Sequence, residues 1–429
     1  VYTQARAPDV WSLPSHVSMF TGFHTPEHRI QNFTTSLAPG NTVFDTLRTK
    51  GYSTACFSTN QFLIDPNFGI ADSFNEVYSR ANVPFANALA PRDTDSEGAT
   101  EFLKHALVSE SPFGSVLNGI GRKLYQDHRG AIRYTPLYRR EGIAYAQQFI
   151  HWADGQSGPW AACVNLMDAH THYHPVEEHD CWANEEAWEA QQSYEDGKWD
   201  FVSGEQPWDV REQVVDLYDG AIRQTDAAVG RIVSWLADTG RLDDTVVVVT
   251  ADHGETFGEP DDILPTRLSG HGFGMCEQLV HVPLVVWRPD RSGSERVDDP
   301  VSLTALSELP FSDDKIVDIQ MPVIVTSDGL NGTNRTERAA NHLDTSELDP
   351  FYGEIRVRYE VHAGRIRKHI AHADEYVSYE FNDGCSRGDA PTAERIDAVF
   401  GGLEDAKVAA TDREVTNDTR SRLRDLGYM

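Results

Sequence analysis

The stretch from 211 to 255 constrains the fold more than any other part of the chain. Val215, Leu217, Ile222, Val229, Ile232, Val233 and Leu236 recur at helical spacing through 239, and Gly240 follows where a left-handed C-cap belongs. The chain then runs into "DDTVVVVTADHGE", whose apolar β run at 246–249 reads as fully buried and ends in polar residues. A strand that is apolar on both faces has to be covered on both faces, and a long amphipathic helix supplies such cover. The same order recurs upstream. Helix-like "NTVFDTLRTK" precedes "GYSTACFST" at 51–59, and "EGIAYAQQFIHWA" precedes "PWAACVNLMD" at 159–168. This alternation predicts an α/β fold with a mostly parallel sheet sandwiched by helices, its sites at the carboxyl ends of the strands.

At 429 residues the chain exceeds the roughly 250–300 at which a single core stops growing. We expect a large α/β domain over 1–315 and a smaller α+β subdomain over 316–429. In the latter, "GEIRVRYEVHAGRIRKHIAHADEYVSYEFNDG" alternates as an antiparallel meander that turns at Gly364. Lys368 and Arg365 on that meander are expected to be solvated edge-strand charges, and "SGSERVDDP" and "GLNGTNRTERAANHLDTSELDP" to be surface loops.

Asp and Glu number 67 against 37 Lys and Arg, a formal charge of −30, which argues against nucleic acid or an anionic membrane as partner. The basic residues are nearly all Arg, and an acidic, lysine-poor surface suits a salt-rich cytoplasm. The five cysteines (Cys56, Cys163, Cys181, Cys276, Cys385) are odd in number and widely spaced, against a disulfide framework or a zinc knuckle. No run of 18 apolar residues predicts a membrane span and no signal peptide opens the chain, so a cytoplasmic location is expected. Sequons stand at Asn32, Asn331, Asn334 and Asn417, and would matter only in an exported protein.

The polar tails of the strands hold the candidate chemistry. Asp252 and His253 leave the valine run together, and a carboxylate beside an imidazole offers half of a divalent metal site, although Asp-His-Gly alone is more often a turn. "MDAHTHYHP" crowds His170, His172 and His174 into five residues, best read as one functional imidazole with two facing solvent. His271 lies between glycines in "SGHGFGMCEQLVHVPLVVW", where it has little packing to do. Near the start, "WSLPSHVSMFTG" places Pro14 in the first turn of a helix with Ser12 just ahead, near the N-cap. A hydroxyl there meets the positive end of the helix dipole, which favours an anionic substrate, although serine is also an ordinary cap.

Together, "SLPSHVSMFTG", "NLMDAHTHYHP", "YDGAIRQTDAAVGRIVSWLADTGRLDDTVVVVTADHGETFGE", "GHGFGMCEQLVHVPLVV" and the terminal "RLRDLGYM" resemble the sulfatase family of the alkaline phosphatase superfamily, in the family's order and across nearly the whole chain. The resemblance implies an alkaline-phosphatase-like fold and a metal-dependent hydrolase of sulfate esters. Its Cys/Ser-x-Pro-x-Arg pattern puts the nucleophile on Ser12, as the hydroxyl or as formylglycine derived from it. It implies Asp252, His253 and Ser12 as ligands of one divalent cation, Ca²⁺ before Mg²⁺, Mn²⁺ or Zn²⁺. His170 and His271 become catalytic and substrate-anion residues, and His16 and Asn60 further substrate-binding positions. The implied partner is a small-molecule or glycan sulfate ester.

Two departures matter. His16 stands where the family's modification signal carries arginine, which leaves a phosphoester hydrolase or phosphotransferase using unmodified Ser12 as the alternative. The family's first strand, with its acidic metal ligands, has no counterpart in the eleven residues before Ser12, where Asp9 is the sole acid. The expectation is a chain lacking that strand, with a non-catalytic relative as a further alternative.

Overall fold

The computed structural model describes residues 1–79, 99–109, 111–127, 141–193, 198–312, 321–330, 333–381, 385–388 and 392–411. The expected boundary at 315, the sequons at Asn331 and Asn417, and the terminal "RLRDLGYM" lie outside the described residues. The elements that frame the site are, in chain order, β1 (Tyr2–Arg6), α1 (Ser12–Thr21), β2 (Ser53–Phe57), β3 (Glu76–Tyr78), α2 (Glu141–Asp154), β4 (Trp160–Val164), α3 (Trp208–Gln213), α4 (Val215–Asp238), β5 (Val247–Thr250), β6 (Thr256–Pro260), β7 (Arg267–Gly270), β8 (His281–Trp287) and β9 (Val301–Ser302).

Strands β3, β2 and β4 form one parallel sheet, with Cys56 directly opposite Cys163. Successive side chains of β2 face opposite layers. Ala55 and Phe57 pack on Phe149 and Trp152 of α2 and Trp235 of α4, whereas Cys56 joins the core that holds Val17 and Phe62. Both faces are thus covered, as the apolar strands required. A second sheet has the order β9–β1–β8–β5. Here β1 runs parallel to β9, and β8 runs antiparallel to both β1 and β5. The reversal of β8 follows from its connection. The chain leaves β5 at the carboxyl end, makes the β6–β7 hairpin and returns at that same end without crossing the sheet.

Two expectations for this region need correction. The predicted helix over 211–239 is two helices, α3 and α4, separated at Val214, while Gly240 does adopt the left-handed conformation (φ 70°). The valine run is not fully buried, since Val246 and Val248 are 40% and 36% exposed. Strand β5 pairs, among the described residues, only with β8, so one edge of an apolar strand stays partly open.

The C-terminal region forms an antiparallel sheet of β10 (Val323–Ser327), β11 (Ile355–His362), β12 (Arg365–His372), β13 (Glu375–Phe381) and β14 (Cys385–Gly388), in that order. Gly364 (φ 75°) turns β11 into β12, as its position predicted, with Ala363 also left-handed (φ 52°). The stretch expected to be a loop at 329–350 instead contains helices Thr333–Ala340 and Thr345–Leu348, the second carrying an Asp344/Glu347 capping box. Lys368 is no edge-strand charge. It sits on β12 between β11 and β13, fully buried, with Nζ 2.6 Å from Asp262 and 3.0 Å from Glu277. Arg6 of β1 meets the same Glu277 at 2.8 Å, and Tyr359 donates to it at 2.5 Å. Arg365 matches its expectation more closely, being half-exposed and paired with Glu380.

Candidate active site

Ser12 opens α1, with Trp11 in extended conformation (φ −159°, ψ 164°) at the N-cap. The serine is therefore the first helical residue and not the cap, and its hydroxyl is not consumed by capping. Its turn is pinned from both sides. Ser15 Oγ donates to the Asp9 carbonyl at 3.0 Å, and Gly272 N–H donates to the Val10 carbonyl at 2.9 Å. The second bond ties the Ser12 turn to the loop carrying His271. Asp9 is itself structural. It is buried, accepts from Val10 N at 2.8 Å and from Thr326 Oγ1 at 3.2 Å.

Across 241 residues of sequence, Ser12 Oγ lies 3.2 Å from His253 Nε2. The other ring nitrogen, Nδ1, donates to the Gly254 carbonyl at 2.8 Å, which leaves the Nε2 lone pair facing the hydroxyl of Ser12. Asp252 Oδ2 stands 3.6 Å from His253 Nε2 and 3.4 Å from His16 Nδ1, and His16 Nδ1 donates to the Ser12 carbonyl at 2.8 Å. Burial opposes ionisation of Asp252, but His253, His16 and the Ser12 hydroxyl outweigh it and hold the carboxyl well below its ordinary range.

The imidazole of His271 lies 4.4 Å from that of His253, tilted against it, and His170 lies 5.3 Å from His271, both between ring centroids. His170 is placed by its loop. Gln224 of α4 donates to Asp168 and accepts from Val176 N at 2.9 Å, which pins both ends of the turn. Burial pushes His271 down to about 3 and lowers His170 as well, so both rings are neutral at pH 7. Of the two neighbouring histidines expected to face solvent, only one does. His172 is exposed, whereas His174 is half-buried and stacks on Trp188 at 5.8 Å.

Asn60 is not drawn into this network. It sits beyond the carboxyl end of β2, buried, and its Oδ1 caps the short helix Gln61–Ile64 by accepting from Phe62 N at 3.1 Å. Sequence reasoning also passed over Glu255, which stands three positions after Asp252 and bonds to His271 Nδ1 at 3.2 Å. Its closeness to Asp252 and His253 in sequence was the available signal.

The metal expectation can be tested on one atom. Asp252 Oδ2 is buried and accepts no hydrogen bond. An orphaned carboxylate oxygen is costly, and beside an imidazole lone pair and a hydroxyl it matches the donors of a hard divalent cation. Ser12, Asp252 and His253 therefore fit such an ion. Elsewhere Asp200, Glu205 and His342 bring ligand atoms within 4.8 Å of one another, but Glu205 is exposed and pairs with His342 at 3.1 Å, as an ordinary ion pair would.

A family model described as Sulfatase matches residues 2–309. Arylsulfatase K of Danio rerio is 34% identical over 87 residues, 20% of this chain and 15% of that protein. The multifunctional alkaline phosphatase superfamily protein PehA of Trinickia caryophylli is 43% identical over 47 residues, 11% of this chain and 9% of that protein. The chain thus matches only a small share of these relatives' lengths. Among solved structures, the phosphonate monoester hydrolase of Agrobacterium radiobacter superposes with a TM-score of 0.56 at 16% identity, covering 89% of this chain and 81% of that one. The phosphonate monoester hydrolase SpPMH of Silicibacter pomeroyi gives 0.55 at 17% identity, covering 97% and 92%. At such identity the likeness is one of fold. Among the described residues no helix is long and apolar enough to cross a membrane.

Proposed function

The chain belongs to the sulfatase family, and from that premise we propose that it is a metal-dependent hydrolase of sulfate esters with Ser12 as nucleophile. The observation that carries this reading is the 3.2 Å contact between Ser12 Oγ and His253 Nε2, beside the orphaned Asp252 Oδ2. Ser12, Asp252 and His253 would hold one divalent cation, Ca²⁺ first. When bound, that ion supplies the positive charge that makes a hydroxyl a better nucleophile and offsets charge on the ester.

The chain's own residues do the rest. His16 holds the Ser12 carbonyl and fixes the first turn of α1, so that Oγ points at His253. The Nδ1–H of His170 is committed to the Thr171 carbonyl and that of His271 faces Glu255. On each neutral ring Nε2 is then the unprotonated nitrogen, a base that takes up a proton before passing it to a leaving group. Proton transfer through such a base contributes about 10²–10⁴ in rate. The substrate class is a sulfated small molecule or glycan.

A second reading, an unmodified Ser12 acting on phosphate esters, is favoured by one observation. The residue in the arginine position of the modification signal, His16, is buried and engaged with the Ser12 carbonyl. Hydrolysis of 4-nitrophenyl sulfate and phosphate, compared side by side with Ca²⁺, separates the two. The Ser12 peptide loses the mass of two hydrogens if formylglycine forms and is unchanged if it does not. Ser12→Ala should abolish either activity with the far-UV spectrum intact, and turnover surviving in that variant would refute the nucleophile.

A further inference from the structure

Glu255 has no role in the chemistry described so far, yet it is the most heavily braced carboxylate near the site. It is 8% exposed. Its Oε2 accepts from His271 Nδ1 at 3.2 Å and from Tyr173 OH at 3.0 Å. Its Oε1 accepts from Thr256 N at 3.3 Å and faces Arg211 Nη2 at 3.9 Å. Those partners are themselves immobilised. Arg211, on α3, is 1% exposed, donates to the Thr256 carbonyl at 3.0 Å and lies 4.5 Å from the centre of the Phe257 ring. Tyr173 is fully buried, and Gln191 bonds both its backbone N–H (2.7 Å) and its carbonyl (2.9 Å).

These contacts join three loops through one side chain. Tyr173 follows His170 by three residues, Glu255 follows His253 by two, and His271 belongs to the third loop, whose carbonyl also receives Lys198 Nζ. We propose that Glu255 is a positioning residue: its carboxylate keeps the proton of His271 on Nδ1, turns the Nε2 edge away from itself, and fixes the loops of His170, His253 and His271 relative to one another. A carboxylate can only accept, so its bond to Nδ1 selects that tautomer. Removing the partner that orients a site imidazole typically costs about 10–100-fold in activity.

The kinetic part of this inference rests on the proposed ester hydrolysis, whereas the tautomer does not, and the experiment keeps them apart. In the full chain treated with chelator, at neutral pH and labelled with ¹⁵N-histidine, two-bond N–H correlations report the His271 tautomer, assigned by the signal that His271→Asn removes. The wild type should show Nδ1–H. Nε2–H in the wild type overturns the proposal outright, with no variant needed. Glu255→Ala should release the ring to a mixture of tautomers, and Glu255→Gln, whose amide oxygen still accepts, should restore most of the Nδ1–H form. On the ester substrate, Glu255→Ala should lower kcat about 10–100-fold with KM little changed, and Glu255→Gln should recover most of the loss. An unchanged tautomer or unchanged kcat in Glu255→Ala defeats the role. If Glu255→Ala does not fold, Tyr173→Phe, which removes one of the carboxylate's donors, should loosen the same tautomer preference. Should the wild type hydrolyse neither ester, the functional reading fails while the tautomer measurement still decides the role of Glu255.

Discussion

Gly254 shows how little room the site leaves at the scale of one residue. A Cβ there would sit 1.9 Å from the Gln278 carbonyl oxygen, because the Gly254 N–H bonds to the Leu279 carbonyl at 2.7 Å. Gly254→Ala must therefore push the exit of β5 off its neighbour and carry His253 with it. A shift near 1 Å costs on the order of 10²-fold in rate, so kcat for the ester substrate should fall by about that factor while circular dichroism stays native. A fully active Gly254→Ala would show that the Ser12–His253 distance does not govern turnover. Asp252 offers a second test. If its orphaned Oδ2 awaits a cation, Ca²⁺ should raise the unfolding temperature, by about 2.7 kcal/mol in free energy at a hundredfold excess over Kd, and Asp252→Asn should remove that response. A calcium response identical in wild type and Asp252→Asn would place the ion elsewhere.

Between elements, the decisive contact is ionic. Strand β12 delivers Lys368 into a cluster with Asp262, Glu277 and Arg6 that joins the C-terminal sheet to β1, to the β6–β7 turn and to the short helix Glu277–Val280 ahead of β8. Burial pushes the Glu277 carboxyl up, but Lys368 and Arg6 dominate and hold it at about 2. Lys368→Met leaves Asp262 with no cation and Glu277 with Arg6 among the described residues, and breaking a buried pair from one side costs about 3–5 kcal/mol. Urea unfolding should show that loss, and adding Glu277→Gln should recover part of it. A loss within experimental error in Lys368→Met would mean the cluster is solvated. The meander itself was legible in the alternation of 354–381, but its placement was not. The pattern that marks Lys368 as a polar position cannot tell a solvent-facing side from one packed against another layer's carboxylates.

For the molecule as a whole, one core runs from Ala5 and Leu13 through Phe62 and Leu279 to Val357 and Ile370, and His24 and His28 are buried as well. Burial pushes His24 down to about 4 and His28 to about 3. His28 Nδ1 already accepts from Ile30 N–H at 3.0 Å, a bond that protonation would break. With folded values below the ordinary 6.5, both histidines contribute stability that is fully present above pH 6.5 and lost as pH falls toward 3–4. The slope is roughly 1 kcal/mol per pH unit for each. Thermal melts between pH 7 and 5 should show it, and His28→Gln should flatten it. An equal slope in that variant would locate the acid sensitivity elsewhere. A net charge of −30 predicts a second whole-molecule effect. Raising KCl from about 0.1 M to about 1 M shortens the Debye length from about 10 Å to about 3 Å and should raise the melting temperature. A melting temperature that falls with salt would remove the case for salt adaptation.

The sequence alone determined the layers and the chemistry on offer. Hydrophobic periodicity separates helix from strand because each has its own repeat, and polar strand tails mark where a parallel sheet exposes functional groups. Asp252, His253 and His170 were legible in that way, His271 by its place between glycines, and Ser12 by its place at a helix start and the family resemblance. Only the tertiary structure decided which of them meet. It brought Ser12 to His253, left Asn60 as a helix cap, reversed β8, and buried Lys368 and Glu255 among partners from distant segments. Such choices depend on how layers pack in three dimensions, and no local repeat in the chain encodes a partner brought in from another element.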